Sequence, residues 1–221
     1  MLSPGVHVQH GFPLPGHDHY FLPLLASPPT TNGGAPNRTR SAYFYRRESD
    51  KIYHRYYDLY FTTATILEWK HLLRSDRMKD VVVDSLRYLV REQKAVIYAF
   101  VIMPNHIHLV WHIPQDYTLT EVKAALLSFT AHQFKKNLKT EDPLELERYR
   151  VNLADRTYQF WERNPLSVAI FHDEVYYQKM QYVHWNPCTE RWRLAAEPEA
   201  YKYSSVYQVA GKPFWDFVTG G

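Results

Sequence analysis

The chain has 221 residues and a formal net charge of +3, and 45% of its residues are hydrophobic. These values fit one globular domain with an appendage and exclude a strongly basic, histone-like protein. The single cysteine, Cys188, excludes a disulfide within the chain and argues against a cysteine-based zinc site. No apolar run approaches the roughly 20 residues that span a bilayer, and no secretory signal is evident. We therefore expect a cytoplasmic protein that does not bind membranes.

The N-terminal residues 1–42 are predicted to form a disordered extension. Repeated prolines and the run Asn32-Gly33-Gly34 leave too little apolar area to offset the entropy lost on ordering. A folded domain is predicted over residues 43–215, and residues 216–221 are interpreted as a tail.

Secondary structure in the folded domain is predicted from side-chain periodicity. Aromatic and β-branched residues indicate a strand over residues 56–63, and apolar residues at helical spacing indicate a helix from Asp76 to about residue 93. Residues 95–113 are of β type but break at Met103-Pro104-Asn105, because proline lacks the amide donor that a sheet needs.

The second half of the domain continues this alternation. A second helix is expected over about residues 118–139, a loop or short helices over residues 140–156, and a strand within residues 160–170. A third helix begins at Asp173 and stops at Asn186, because the following proline disfavours helix in the residue before it. Helices and strands alternate without a strict βαβ rhythm, which favours an α+β fold.

The segment with the clearest chemical pattern is His106-Ile107-His108-Leu109-Val110-Trp111-His112. On a strand, alternate side chains share a face, so His106 and His108 lie about 6.5–7 Å apart on one face and apolar residues occupy the other. Imidazoles at this spacing can converge on one cation, although the pattern does not name the metal. In a chain with 12 histidines, such a pair also arises by chance.

The wider sequence around this pair resembles the REP-associated tyrosine transposases, a family of single-tyrosine HUH transposases. The resemblance extends over residues 53 to about 207, and it rests on several motifs in the same order: Tyr98 to Val110, Phe160 to Asn164, Lys179 to Pro187, and Tyr201 to Ser205. It implies a ferredoxin-like antiparallel sheet with helices packed on one face. It also implies metal-dependent cleavage and rejoining of hairpin-forming single-stranded DNA, with Mg²⁺ or Mn²⁺ held by His106 and His108. Members of the family work as monomers or dimers, so a homodimer is possible.

The family's usual nucleophile is a tyrosine, which the resemblance leads us to expect on the helix after the histidine strand. No tyrosine occurs between Thr118 and Asn137. The apolar face of this helix is expected to consist of Val122, Leu126 and Phe129, with Gln133 on the same face. Gln133 is our candidate for a third metal ligand, with Asn137 as a second option. An ordinary hydrogen-bonded amide near a helix end explains Gln133 equally well.

Tyr182, on the third helix, is the candidate substitute nucleophile. Lys179 precedes it by about one turn and can stabilise a phenolate electrostatically. A packing or base-stacking role also explains this tyrosine. The predicted DNA contacts, which combine basic, polar and aromatic side chains, are Arg55, Asn105, Lys179 and Trp185.

Three other functions remain open from the sequence. The lack of a tyrosine on the second helix favours a domesticated protein that binds hairpin DNA without cutting it. A phosphodiesterase that activates water at the metal would cut without forming a covalent adduct. A histidine-rich metal-storage or structural protein would not bind DNA.

Overall fold

The computed structural model describes residues 58–219. Predictions that concern residues 1–57, including the N-terminal extension and the DNA contact at Arg55, lie outside the described residues.

A four-stranded antiparallel sheet forms the centre of the described region. Its strands are β1 (Leu59–Thr65), β2 (Val96–Ile102), β3 (His106–His112) and β6 (Leu166–Ala169), in the spatial order β2-β3-β1-β6. The β-branched and aromatic side chains of β1 to β3 favour this extended backbone. Strands β2 and β3 join through a tight turn at residues 103–105, where the sequence predicts a break.

Two helices cover one face of the sheet. Helix α1 (Asp76–Arg91) packs against α2 (Leu119–Glu141), and Lys123 of α2 donates a hydrogen bond to Ser167 of β6 at 3.3 Å. The Ser167 hydroxyl also bonds Thr62 of β1 at 3.1 Å, and Thr62 accepts a bond from the Trp111 indole at 3.0 Å. Helix α2 therefore lies on the face of β3 that carries Trp111.

Helix α4 (Asp173–Trp185) covers the opposite face of the sheet. Its Tyr182 ring contacts the His108 ring edge-on at 5.0 Å, and its Lys179 ammonium lies 4.7 Å above the Phe61 ring. The strand and helix order and the sheet topology confirm the predicted α+β fold with a ferredoxin-like antiparallel sheet, and α1 and α2 share one face as predicted, whereas α4 is an additional helix on the other face. With α4 in place, the histidine face is buried beneath a helix and is not directed toward solvent.

The buried stripe of α2 differs from the predicted one. The residues that face the core follow one another at steps of four: Val122, Leu126, Thr130, Phe134 and Leu138. Phe129 is 49% exposed, so the prediction that it lies on the apolar face with Gln133 is wrong. The polar Thr130 is tolerated in the stripe because its hydroxyl donates to the Leu126 carbonyl at 2.9 Å.

Smaller elements complete the described chain. They are α3 (Pro143–Glu147), the hairpin of β4 (Arg150–Leu153) and β5 (Arg156–Tyr158), and the two-residue strands β7 (Gln208–Val209) and β8 (Lys212–Pro213). Near the C-terminus, Phe217 is buried and stacks on Phe100 with ring centroids 5.6 Å apart. The packed region therefore extends past residue 215, where the sequence predicts that a tail begins. Within residues 58–219, no helix combines the length and the apolar character needed to cross a membrane.

Candidate active site

His106 and His108 point to the same side of β3, as the alternation of side chains predicts. Their ring centroids are 4.6 Å apart, and both side chains are buried between the sheet and the segments that cover it. Burial disfavours the charged imidazolium. It lowers the pKa of His106 to about 4, and nearby Arg191 adds to this effect. Burial also holds the pKa of His108 well below its usual value, with further contributions from His106 and Lys179. Both imidazoles are therefore neutral at physiological pH, which is the form that binds metals.

Each of the two imidazoles is oriented by a hydrogen bond at Nδ1. Asn105 donates from its amide nitrogen to the Trp69 carbonyl at 3.2 Å, which leaves its oxygen to accept from His106 Nδ1 at 2.7 Å. Thr63, directly opposite His108 in the sheet, bonds His108 Nδ1 at 2.8 Å. With a proton on each Nδ1, both Nε2 atoms present a lone pair, an arrangement typical of metal-binding histidines.

His108 Nε2 is fully buried and has no hydrogen-bond partner among the described residues. A buried polar atom left in this state is costly unless another ligand binds it. Two other buried side-chain atoms lack a partner within residues 58–219, the Asn186 side-chain oxygen and the Ser204 hydroxyl oxygen. The His108 nitrogen and the Asn186 oxygen both carry lone pairs that can bind a cation.

The path of α4 brings Asn186 toward the histidine pair. The helix starts beside β2, where Tyr176 packs on Tyr98 at 6.1 Å, and it reaches His108 at Tyr182. Tyr98 is adjacent to Ala99, which pairs with Val110, so α4 runs along β3 from the level of Val110 toward His106. Asn186 follows Tyr182 by one turn and keeps helical backbone angles (φ −52°, ψ −45°), so it continues the same face in that direction.

These residues match a divalent cation by their chemistry. Two neutral imidazole nitrogens and an amide oxygen suit Mn²⁺ and related metals. Over the described residues, no group of three histidine, cysteine, aspartate or glutamate side chains converges in metal-binding geometry. A third protein ligand at the histidine pair would have to come from another residue type, and the Asn186 amide oxygen is the candidate.

Tyr182 and Lys179 lie over the same part of the sheet. The Tyr182 ring contacts both His108 and Phe61, and 37% of the residue's surface is exposed. Lys179 is 9% exposed, and within the described part of the chain no carboxylate forms a salt bridge with it. Burial lowers the pKa of Lys179. A buried cation without an anion is unfavourable by itself and is suited to an incoming phosphate.

The remaining predicted site residues fall into different places. Gln133 lies on α2, across the sheet from the histidine pair, so the prediction that it ligates the metal is wrong. Asn105 is 2% exposed and both ends of its amide are bonded, so it orients His106 and is not placed to contact DNA. Trp185 is 54% exposed at the end of α4, which is compatible with its predicted DNA contact.

The position of α2 also changes the meaning of its missing tyrosine. Because α2 packs on the Trp111 face, no side chain on it reaches His106 or His108 through the sheet. The helix that faces the histidines is α4, and it does carry a tyrosine at the right level. A side chain on the helix directly after the histidine strand therefore lies across the sheet from the histidine pair.

Sequence reasoning missed Asn186, Thr63 and Trp69 as members of the site. Asn186 was interpreted only as the residue at which the third helix stops. The signal available in the sequence is its spacing of four residues from Tyr182, because residues four apart on a helix share a face. For Thr63 and Trp69 no local signal exists, since their contacts are with β3 residues distant in sequence.

Comparison with known proteins gives one family and several solved structures. Residues 55–147 match the family model described as IS200-like transposase. A REP-associated tyrosine transposase bound to a REP hairpin is 17% identical, with a TM-score of 0.49 over 67% of this chain and 76% of that one. A transposase candidate from Deinococcus radiodurans R1 is 15% identical, with a TM-score of 0.39 over 57% of this chain and 87% of that one. No curated protein matches the chain.

Proposed function

Because residues 55–147 match the model of the IS200-like transposase family, we propose that this chain binds hairpin-forming single-stranded DNA and cuts it by metal-dependent attack of Tyr182 on a backbone phosphate. The observation that carries the proposal is the placement of Tyr182 against His108, at a ring distance of 5.0 Å, next to two buried atoms that lack partners. Hairpin DNA is proposed as the substrate because the motifs from Tyr98 to Ser205 resemble those of the REP-associated tyrosine transposases.

The metal-binding residues in this proposal are His106, His108 and Asn186. The cation is Mg²⁺ or Mn²⁺, and when bound it would polarise the phosphate and stabilise negative charge on its oxygens. Thr63 and Asn105 hold the two imidazoles with Nε2 directed away from the strand. Asn186 takes the place that the sequence prediction gave to Gln133.

Tyr182 acts as the nucleophile. Its phenolic oxygen loses a proton and attacks the phosphorus in line, and the bond from phosphorus to the 3′ oxygen breaks. The 3′ oxygen takes up a proton, so the products are a free 3′ hydroxyl and a 5′ phosphate linked to Tyr182. Attack by a 3′ hydroxyl on this link reverses the step and rejoins DNA, because the phosphotyrosine conserves the bond.

Lys179 supports this step electrostatically. Its side chain is largely buried on the same face as Tyr182, with the ammonium above the Phe61 ring, and it has no carboxylate partner within the described residues. A cation in this position favours the phenolate of Tyr182 and the charge that develops on the phosphate. Because burial makes each charge interaction stronger than it is in water, the same residue is costly without DNA and useful with it.

Two alternative functions have distinct outcomes in one experiment. A binding protein that has lost cleavage was favoured by the absence of tyrosine from α2, but that argument loses its weight because α2 lies across the sheet. A phosphodiesterase that uses water remains a candidate, because the same metal ligands would serve it. The proposed homodimer is independent of all three functions and is measured by sedimentation of the full chain.

The test is a denaturing gel of the full chain with end-labelled hairpin DNA and Mn²⁺. Wild type should give cleaved DNA and a covalent protein–DNA band, and Tyr182→Phe should give neither, because the substitution removes one oxygen and keeps the ring. The matched control is Tyr177→Phe on the same helix, where the tyrosine is 46% exposed and five residues away. An undiminished covalent band in Tyr182→Phe contradicts the proposal. Cleavage without a band indicates attack by water, and tight binding without cleavage indicates a binding protein.

A further inference from the structure

Trp69 is an exposed aromatic residue beside the histidine pair for which the proposed cleavage step has no use. Its ring meets the His106 ring edge-on with centroids 6.4 Å apart, yet 46% of the tryptophan surface is exposed. Burying an indole is favourable, so a large ring left open next to a candidate metal site points to a ligand that covers it.

The backbone around Trp69 is held in an unfavourable conformation. Glu68 (φ 54°) and Trp69 (φ 55°) both adopt left-handed backbone angles, which residues with a Cβ atom rarely adopt. Such conformations persist only where the surroundings determine them, and they concentrate at binding and catalytic sites. Here the Glu68 amide donates to Glu162 at 2.6 Å, and the Trp69 carbonyl accepts from Asn105 at 3.2 Å.

Asn105 connects this turn directly to the metal ligand. One end of its amide bonds the Trp69 carbonyl, and the other bonds His106 Nδ1 at 2.7 Å. Its own backbone carbonyl accepts from the Ile66 amide at 2.8 Å, immediately before the turn. The indole is therefore fixed relative to the His106 imidazole by a single buried side chain, which is the kind of rigid support that a positioning residue requires.

A second aromatic residue flanks His106. The Trp192 ring lies 5.7 Å from the His106 ring, and the Arg191 guanidinium lies 5.5 Å above the Trp192 ring. Trp192 is half-buried and partly covered by Arg191, so Trp69 is the more open of the two indoles. An exposed aromatic face, a guanidinium and a metal-ligating histidine within one cluster match the base and the phosphate of a nucleotide.

We infer that Trp69 stacks on the nucleobase adjacent to the phosphate that is cut, and so positions that phosphate at His106 and His108. This inference rests on the proposed function, because it assigns the place of one nucleotide in the proposed single-stranded substrate. Stacking tolerates any base, since every base has a π face, so Trp69 sets position and affinity more than sequence preference.

The experiment measures binding of the full chain to a DNA hairpin flanked on both sides by single-stranded oligothymidine. Single nucleotides of the flanks are replaced in turn by abasic nucleotides, and each DNA is tested with wild type, Trp69→Ala, Trp69→Phe and the control Phe129→Ala. Phe129 is 49% exposed on α2, across the sheet from the histidine pair. Mn²⁺ affinity is measured in parallel, to establish that the alanine variant keeps the metal ligands in place.

Trp69→Ala should bind the intact DNA about 5- to 150-fold more weakly, the range expected for one stacked base. One abasic position should weaken DNA binding by wild type to the same extent and should have no further effect on DNA binding by Trp69→Ala. Trp69→Phe should recover most of the affinity for the intact DNA, and Phe129→Ala should bind that DNA as tightly as wild type. The inference is overturned if every abasic position affects wild type and Trp69→Ala to the same extent, or if Trp69→Ala loses Mn²⁺ binding together with DNA binding. If wild type binds no single-stranded or hairpin DNA, the proposed function fails and this inference fails with it.

Discussion

Replacing Thr63 by valine should weaken the binding of a divalent cation while the protein keeps its fold. The Thr63 hydroxyl is bonded to His108 Nδ1 at 2.8 Å, and it is the contact that leaves Nε2 available for a metal. Valine has nearly the same shape but no hydroxyl, so the His108 ring loses its orienting partner. Removal of such a partner behind a metal-binding histidine lowers metal affinity by about 10–100-fold.

The same substitution also affects stability, and the size of that effect follows from burial. Thr63 is 7% exposed and His108 is 2% exposed, so water cannot replace the lost bond. An unsatisfied buried group costs about 1–3 kcal/mol of the free energy of unfolding. For a domain of this size, each kcal/mol lowers Tm by about 2–4 °C.

The neighbouring Thr62 provides a matched control. It is equally buried, and its hydroxyl bonds a β3 side chain in the same way, accepting from the Trp111 indole at 3.0 Å. However, it points to the opposite face of the sheet, under α2. Thr62→Val should therefore lower Tm by a similar amount and leave metal affinity unchanged.

The assay combines calorimetric Mn²⁺ titration with thermal unfolding of the metal-free variants. Weaker Mn²⁺ binding in Thr63→Val alone, with similar losses of Tm in both variants, is the expected result. If both variants bind Mn²⁺ as tightly as wild type, Thr63 does not orient a metal ligand and the role given to His108 is wrong. If both lose Mn²⁺ binding equally, the effect reflects general loosening of the sheet.

Three further predictions concern the same face of the sheet. The double substitution His106→Ala and His108→Ala should abolish Mn²⁺ binding in a folded protein, and unchanged affinity would refute the metal assignment. Single-stranded or hairpin DNA should bind more tightly than plain duplex, with a log–log salt slope of about −0.7 per phosphate contact; equal binding to plain duplex argues against the proposed substrate. Lys179→Met should lower the cleavage rate by about 100-fold, the scale of losing one preorganised charge stabiliser. The same substitution should not lower Tm, because a buried charge without an anion does not stabilise the fold; an unchanged cleavage rate would exclude Lys179 from the reaction.

The elements and the histidine pair were accessible from sequence because they depend on local periodicity. Side chains alternate along a strand, so the shared face of His106 and His108 follows from their spacing alone. Helical spacing likewise located α1, α2 and α4 to within a few residues. The orienting role of Asn105 was missed because the Trp69 carbonyl, which holds its amide nitrogen, lies 36 residues away in the sequence and becomes its neighbour only in the folded chain.

Which helix faces the histidines was decided by tertiary structure. The sequence defines an amphipathic helix but not the face of the sheet on which it packs, and this choice depends on the route of the chain between strands. Sequence alone therefore determined a histidine pair on a strand of an α+β protein. Only the folded chain placed α2 on the Trp111 face of the sheet, which removes Gln133 from the site. It placed α4 on the histidine face, which brings Tyr182, Lys179 and Asn186 to the histidines from more than seventy residues away in the chain. The physical reason is that packing is set by the complementary burial of distant surfaces, whereas periodicity reports only which side of each element is apolar.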